Sequence, residues 1–153
     1  MPKTISKDLP LAEITLRRYE KPYDMPKRDL VRKLCLSTGL LQPGDSRDVV
    51  VDVLHVLLDA KNKKVLMNSE QVKDEVINLR KKNKLSMNGI AGSNIRRQLK
   101  RLRDLFLVEK LKNDYRITEF EDLHNLFDQK IEEFLVKNIV SRVKEYFKAI
   151  KDL

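Results

Sequence analysis

The 153-residue chain is poor in the residues that build most enzymatic sites. There is one cysteine, Cys35, set in the apolar run LVRKLCL, so no intramolecular disulfide and no paired-cysteine zinc motif can form. A small buried hydrophobe is the expected role of Cys35. The two histidines, His55 and His124, stand far apart and unaccompanied, which gives no metal site and no nucleophile–base pair. Glycine occurs four times and tryptophan not at all. The one G-x-x-G, from Gly89 to Gly92, follows no strand, so it is no phosphate-cradling loop. Carboxylates such as Glu132 and Glu133 lie among matching bases on a helix and read as solvated pairs. No enzyme, cofactor, metal or small-molecule ligand is expected. No apolar run reaches the roughly 18 residues of a membrane span, and the N-terminus lacks a basic-then-apolar signal pattern. An intracellular, cytoplasmic location is the expectation.

Charge is what the chain has in abundance. Charged residues make up 36% of it, with a net charge of +9. Residues 69 to 118 hold 13 basic and 6 acidic side chains, net +7, whereas residues 119 to 153 hold 6 and 8, net −2. A basic concentration of this kind attracts phosphate backbones through counterion release, although a solvated face with no partner gives the same composition.

Four of the five prolines (Pro2, Pro10, Pro22, Pro26) fall in residues 1–26, which argues against long regular structure there. The intervening LAEITLRRYE fits either a short helix opening at Pro10 or a strand alternating at Ile14, Leu16 and Arg18. Arg17, Arg18 and Lys21 would suit a basic arm; a segment packed across the domain is the other reading. Residues 27–38 read as a helix with the stripe Leu30, Val31, Leu34 and Cys35, closed by Gly39. After a Pro-Gly turn, Asp45 or Ser46 is placed to cap a helix over 46–60, the most apolar of the chain, with Val50, Val53, Leu54, Leu57 and Leu58 on one face. Lys61 to Lys64 break it, and Val65 to Met67 read as a short strand. Asn68 and Gln71 have capping-box spacing at the start of the next helix, whose stripe is Val72, Val76 and Leu79 and whose last turn is basic: Arg80, Lys81, Lys82 and Lys84. Those bases suit a helix C-terminus, or phosphate contact. Residues 85–92 are a turn, with Ile90 expected to plug the angle between two helices.

Residues 93–118, SNIRRQLKRLRDLFLVEKLKNDYRIT, say most about function. Ser93 is a candidate N-cap, and Ile95, Leu99, Leu102 and Phe106 make one apolar stripe. Arg97, Lys100 and Arg101 lie opposite, flanked by Arg96 and Arg103. The period then shifts: Leu107 to Leu111 and Tyr115 to Thr118 read as two strands around a Lys112-Asn113-Asp114 turn.

This helix, the LFLVEK bridge and a hairpin ending in YRIT resemble the recognition helix and wing of the winged helix-turn-helix DNA-binding superfamily. The resemblance implies a mainly α fold with a small β-hairpin wing. It assigns residues 27–118 to a winged-helix domain (with the helix 27–38 in front), 46–60 to its first helix and 65–67 to a strand pairing with the wing. It also implies nucleic-acid contacts from Ser93, Asn94, Arg96, Arg97, Lys100 and Arg101 on the helix and from Lys110, Lys112 and Arg116 on the wing. The turn 85–92 is longer than the three to four residues of the compact motif.

Residues 119–152 carry no proline or glycine and read as one long helix of about 34 residues, capped by Thr118 with Glu121. At about 1.5 Å per residue it spans about 50 Å, longer than the ~30 Å body. The overhanging apolar stripe needs a partner. Pairing of two copies through Phe127, Ile131, Leu135, Ile139, Val143, Phe147 and Ile150, as an antiparallel or coiled-coil dimer, is the expectation; cover by the N-terminal segment is the alternative. The function expected is that of a sequence-specific double-stranded DNA-binding protein, a dimeric transcriptional regulator. A protein-interaction module of a larger assembly and an RNA-binding protein are the other readings.

Overall fold

The computed structural model describes residues 8–151 and 153; Pro2, and with it the start of the 1–26 segment, lies outside the described residues. The fold is mainly helical with one small antiparallel sheet. In chain order come α1 (Lys27–Ser37), α2 (Val49–Lys63), β1 (Met67–Asn68), α3 (Ser69–Lys82), α4 (Gly92–Asp104), β2 (Val108–Leu111) and β3 (Asp114–Ile117). A 3₁₀ turn (Thr118–Phe120), α5 (Leu123–Leu126), a π-helical segment (Phe127–Val136) and α6 (Lys137–Lys151) complete it. No described helix is long and apolar enough to cross a membrane.

The core is built around α2. Val49, Val50, Val51, Val53, Leu54, Val56, Leu57 and Ala60 are all buried, so the helix is enclosed on every side from Val49 to Leu57, where the spacing predicted a single apolar face. α1, α3, α4 and β3 surround it. The helix also starts later and ends later than predicted. Asp48 takes the N-cap position and Lys64 ends the helix in left-handed geometry, leaving Asp45 and Ser46 in the preceding loop.

Enclosure of α2 includes one carboxylate, Asp52, which is fully buried and neutralised locally. Arg28 of α1 donates from Nε to Asp52 Oδ1 at 2.9 Å and from Nη2 to Asp48 Oδ2 at 3.0 Å. Arg80 of α3 donates from Nη1 to Asp52 Oδ2 and to Asp48 Oδ1, and its Nε reaches the Ser86 carbonyl at 2.6 Å. Two arginines and two aspartates thus cross-link α1, α2, α3 and the turn that leads into α4. Burial works to raise the Asp48 pKa, but hydrogen bonds from Arg28 and Arg80 outweigh it and hold the carboxyl below its ordinary value.

The Asn68–Gln71 capping box is present: Gln71 N donates to Asn68 Oδ1 at 2.9 Å and Asn68 N to Gln71 Oε1 at 2.8 Å. The sheet order is β1-β3-β2. Met67 pairs with Tyr115, and Val108 pairs with Ile117. Ahead of α1, residues 8–26 form neither helix nor strand. Residues 14–20 lie against α1, with Ile14 and Tyr19 packed on the core, Arg17 N donating to Ser37 O at 2.8 Å and the Arg17 guanidinium reaching Leu36 O and Gln42 Oε1. Arg17 is thus committed to α1 and the loop after it, while Arg18 and Lys21 are exposed, as are Leu9 and Leu11.

The C-terminal region departs most from expectation. Glu119 and Phe120 both adopt positive φ, which breaks the chain between sheet and helix. The helix begins at Leu123 with Asp122 at the N-cap position. Thr118 does not cap it; its hydroxyl donates to Phe106 O instead. Leu126 and Ile131 are buried, five residues apart as a π-helical turn requires, while Phe127 and Val136 pack partly against the same core. Beyond Val136 no described residue is buried, and α6 projects past the body.

Candidate nucleic-acid interface

α4 buries Ile95, Leu99 and Leu102 completely against α2 and α3 and turns its other side outward. Phe106, predicted as the fourth member of that stripe, lies past the helix end with φ +66°, edge-on to Phe134 at 6.2 Å. Ala91 occupies the N-cap position and Gly92 starts the helix, so Ser93 is the second helical residue, exposed, and caps nothing.

The basic residues of α4 divide into free and committed groups. Arg96, Arg97 and Arg103 are exposed and make no side-chain hydrogen bond or ion pair with another described residue. Lys100 is exposed and pairs with Asp104 across one helical turn at 3.0 Å, an interaction that costs little to exchange for another anion. Arg101 is different. It donates to Leu40 O at 2.7 Å, to Gly39 O at 3.3 Å and to Gln98 Oε1 at 2.8 Å, and so ties α4 to the loop after α1. Of the cations expected on the outward face, it is thus half-buried and engaged within the protein. Asn94 is likewise half turned inward, donating to Gly89 O at 2.7 Å and accepting from Gln98. Arg80, read as a possible phosphate ligand, is buried in the ion network described above.

The hairpin follows the same division. Lys110 and Lys112 are exposed, Lys110 lying over the Tyr115 ring at 5.6 Å and Lys112 at the turn with φ +58°. Arg116 is held. Its Nε donates to Glu109 Oε2 at 2.6 Å across the strand pair, and its guanidinium stacks on Phe120 at 4.8 Å. Glu109 also accepts from Glu119 N. Burial would raise its pKa, but the backbone donor and Arg116 together keep it below the ordinary value.

Helix and hairpin meet in one open groove of about 380 Å³, lined by Lys100, Arg103 and Asp104 from α4 and by Glu109 and Lys110 from β2. A second, polar cleft of about 180 Å³ lies at the other end of α4, its polar lining made by Asp45, Arg47, Asn94, Arg97, Gln98 and Arg101. Arg47 and Arg103 belong to this basic surface although the sequence did not mark them as contact residues. Arg103 was legible as a helix flank. Arg47 sits in the irregular loop before α2, where no periodicity marks it, and only the tertiary fold brings it to α4.

The thiol of Cys35 is fully buried and pushed up to about 12 by that burial, which leaves it unreactive. His55 is nearly buried on α2, its Nδ1 without a partner among the described residues. No group of three or more metal-ligating side chains occurs among the described residues. The chain matches no known protein family, no curated protein and no solved structure.

Proposed function

We propose that the protein is a winged-helix protein that binds double-stranded DNA through α4 and the β2–β3 hairpin. The observation that carries this reading is the element order α2, β1, α3, α4, β2, β3, with β1 closing a three-stranded sheet and exposed cations (Lys100, Arg103 and Lys110) where α4 meets the hairpin. In this reading α4 enters the major groove, with Arg96, Arg97 and Lys100 reaching bases or phosphates and Ser93 near a phosphate at its first turn. Lys110 and Lys112 of the wing follow the backbone, and Arg47 and Arg103 extend the contact at either end of α4. Arg101, Asn94 and Arg116 act by positioning the surface.

The direct test is selection from random duplex DNA with the purified chain, followed by salt titration of the enriched sequence. An enriched motif, bound less tightly as salt rises, supports the proposal; no enrichment together with salt-independent affinity rejects it. Competition by RNA at equal potency would move the assignment to RNA binding.

The inward commitment of Arg80 and Arg101 narrows the free basic surface, and this favours a second reading in which the fold serves chiefly as an interaction module. Both readings give α6 the same role, a projecting helix that seats a partner. A second copy is the occupant that apolar spacing alone suggests. It would present two half-sites about one turn of DNA apart.

A further inference from the structure

α6 projects from the body with an apolar stripe that no described residue of the chain covers. Val136, Val140, Val143, Phe147 and Ile150 recur at spacings of four, three, four and three, the spacing of the a and d seam of a coiled coil. Val143, Phe147 and Ile150 are 48%, 75% and 66% exposed. In the same register Lys137, Lys144 and Lys151 fall seven residues apart on one flank of the seam, all at the e position. The other flank, position g, carries Ile139 and Tyr146. Lys148 and Arg142 lie farther round, and Glu145 is the one acidic residue of the fifteen in α6.

This charge pattern discriminates between occupants. Two copies paired antiparallel would set the e flank of one helix against the e flank of the other, bringing lysine rows face to face. Two copies paired parallel would avoid that clash but meet another. Upstream of Val136 the same side of the helix is filled by the protein's own body, which buries Leu126 and Ile131. The partner's residues 123–136 would have to occupy that space. Phe127 and Ile131, expected in the pairing seam, are for this reason spent on the core, and the free seam begins after Val136, with Leu135 and Ile139, also expected in the seam, half-buried beside it.

We infer that α6 docks an amphipathic helix of a different protein, one with apolar a and d positions and a glutamate- or aspartate-rich flank facing Lys137, Lys144 and Lys151. The lysine row sets both the choice of partner and its register, since each cation meets an acidic side chain once per heptad and repels a basic one. The inference does not depend on DNA binding.

The full chain provides the test. Light scattering at about 100 µM gives a monomer, because mass action at that concentration would reveal a second copy as occupant. Two synthetic helical peptides of about 21 residues, with identical apolar a and d positions and either glutamates or lysines at e and g, are then titrated by fluorescence anisotropy. The glutamate peptide binds at least roughly tenfold more tightly, and the triple variant Lys137→Glu, Lys144→Glu, Lys151→Glu reverses the preference. That variant keeps the wild-type melting temperature, since its substitutions lie on an overhang with no buried residue. Phe147→Asp abolishes binding of either peptide. A dimer in scattering, absence of binding, or a preference that survives charge reversal overturns the inference. So does cosedimentation with phosphatidylserine-containing vesicles that the triple variant loses, because the occupant is then a lipid surface.

Discussion

Arg80 Nη1 lies 2.5 Å from Asp52 Oδ2, and both side chains are almost wholly removed from water, at 3% and 0% exposure. A residue whose sequence position marks it as a basic helix end is in fact the bridge between α3, α2 and the turn before α4. Removing Arg80 leaves Arg28 as the remaining partner of two carboxylates, Asp48 and Asp52, and breaking a buried pair of this kind costs up to about 3–5 kcal/mol. Arg80→Ala is therefore expected to lower the urea midpoint sharply. DNA affinity per folded molecule should stay near wild type. A variant that melts normally but loses DNA would instead make Arg80 a contact residue.

The free and committed arginines of α4 should separate by salt dependence. Arg96→Ala with Arg97→Ala removes two exposed cations and is expected to weaken duplex binding. It should also flatten the plot of log affinity against log salt by about 0.9 for each phosphate that these side chains neutralise. Arg101→Ala removes the hydrogen bonds to Leu40 O and Gly39 O. Its expected result is a lower melting temperature and an unchanged salt slope. Arg142→Ala, on the overhang, should alter neither. Fluorescence anisotropy at three or more salt concentrations distinguishes these outcomes.

What could be read from the chain beforehand follows the range of the interactions. The Asn68–Gln71 box is local, so its spacing alone specified it, and the β2–β3 hairpin was announced by the change of period after Phe106. The Arg80 network was not legible, because its partners come from elements distant in sequence. The same holds for Arg101, which finds its acceptors in the loop after α1. Residues 119–152 misled for a different reason. Leu123, Phe127, Ile131 and Leu135 recur every four residues and suit an α-helix, so the wider π-helical turn left no mark. The break at Glu119 and Phe120 contains neither glycine nor proline, the residues that usually announce positive φ or a helix stop.

His55 supplies a pH dependence. Burial disfavours its charged form and lowers its pKa, against the partial support of Asp59, whose carboxylate lies 3.6 Å from Nε2. The folded state thus holds a neutral imidazole, while the unfolded chain titrates near the ordinary value of about 6.5. The contribution to stability is fully present above that unfolded value. It is lost as pH falls below it toward the lower folded value. Urea midpoints measured from about pH 7.5 down to about pH 5.5 should decline, and His55→Phe should reduce the decline attributable to this site. A variant whose midpoint falls as steeply as wild type would remove His55 as the cause.

Gly39 tests whether the N-terminal segment is docked as described. The residue closes α1 at φ +77°, a conformation that L side chains adopt at a cost, and a Cβ added there would lie 2.7 Å from the Thr15 Cβ. Gly39→Ala therefore meets two penalties: backbone strain of about 1–3 kcal/mol, and a collision that pushes residues 13–17 off α1. The second penalty should be separable. Thr15→Gly removes the colliding atom but leaves φ unchanged, so adding it to Gly39→Ala should restore part of the lost stability and not all of it. If residues 13–17 do not lie on α1 in solution, Thr15→Gly brings no recovery, and the double variant loses at least as much stability as Gly39→Ala. Thermal melts of the two single variants and the double variant decide between these outcomes. Hydrogen exchange at the Arg17 amide, bonded to Ser37 O at 2.8 Å, reports docking of the same segment independently.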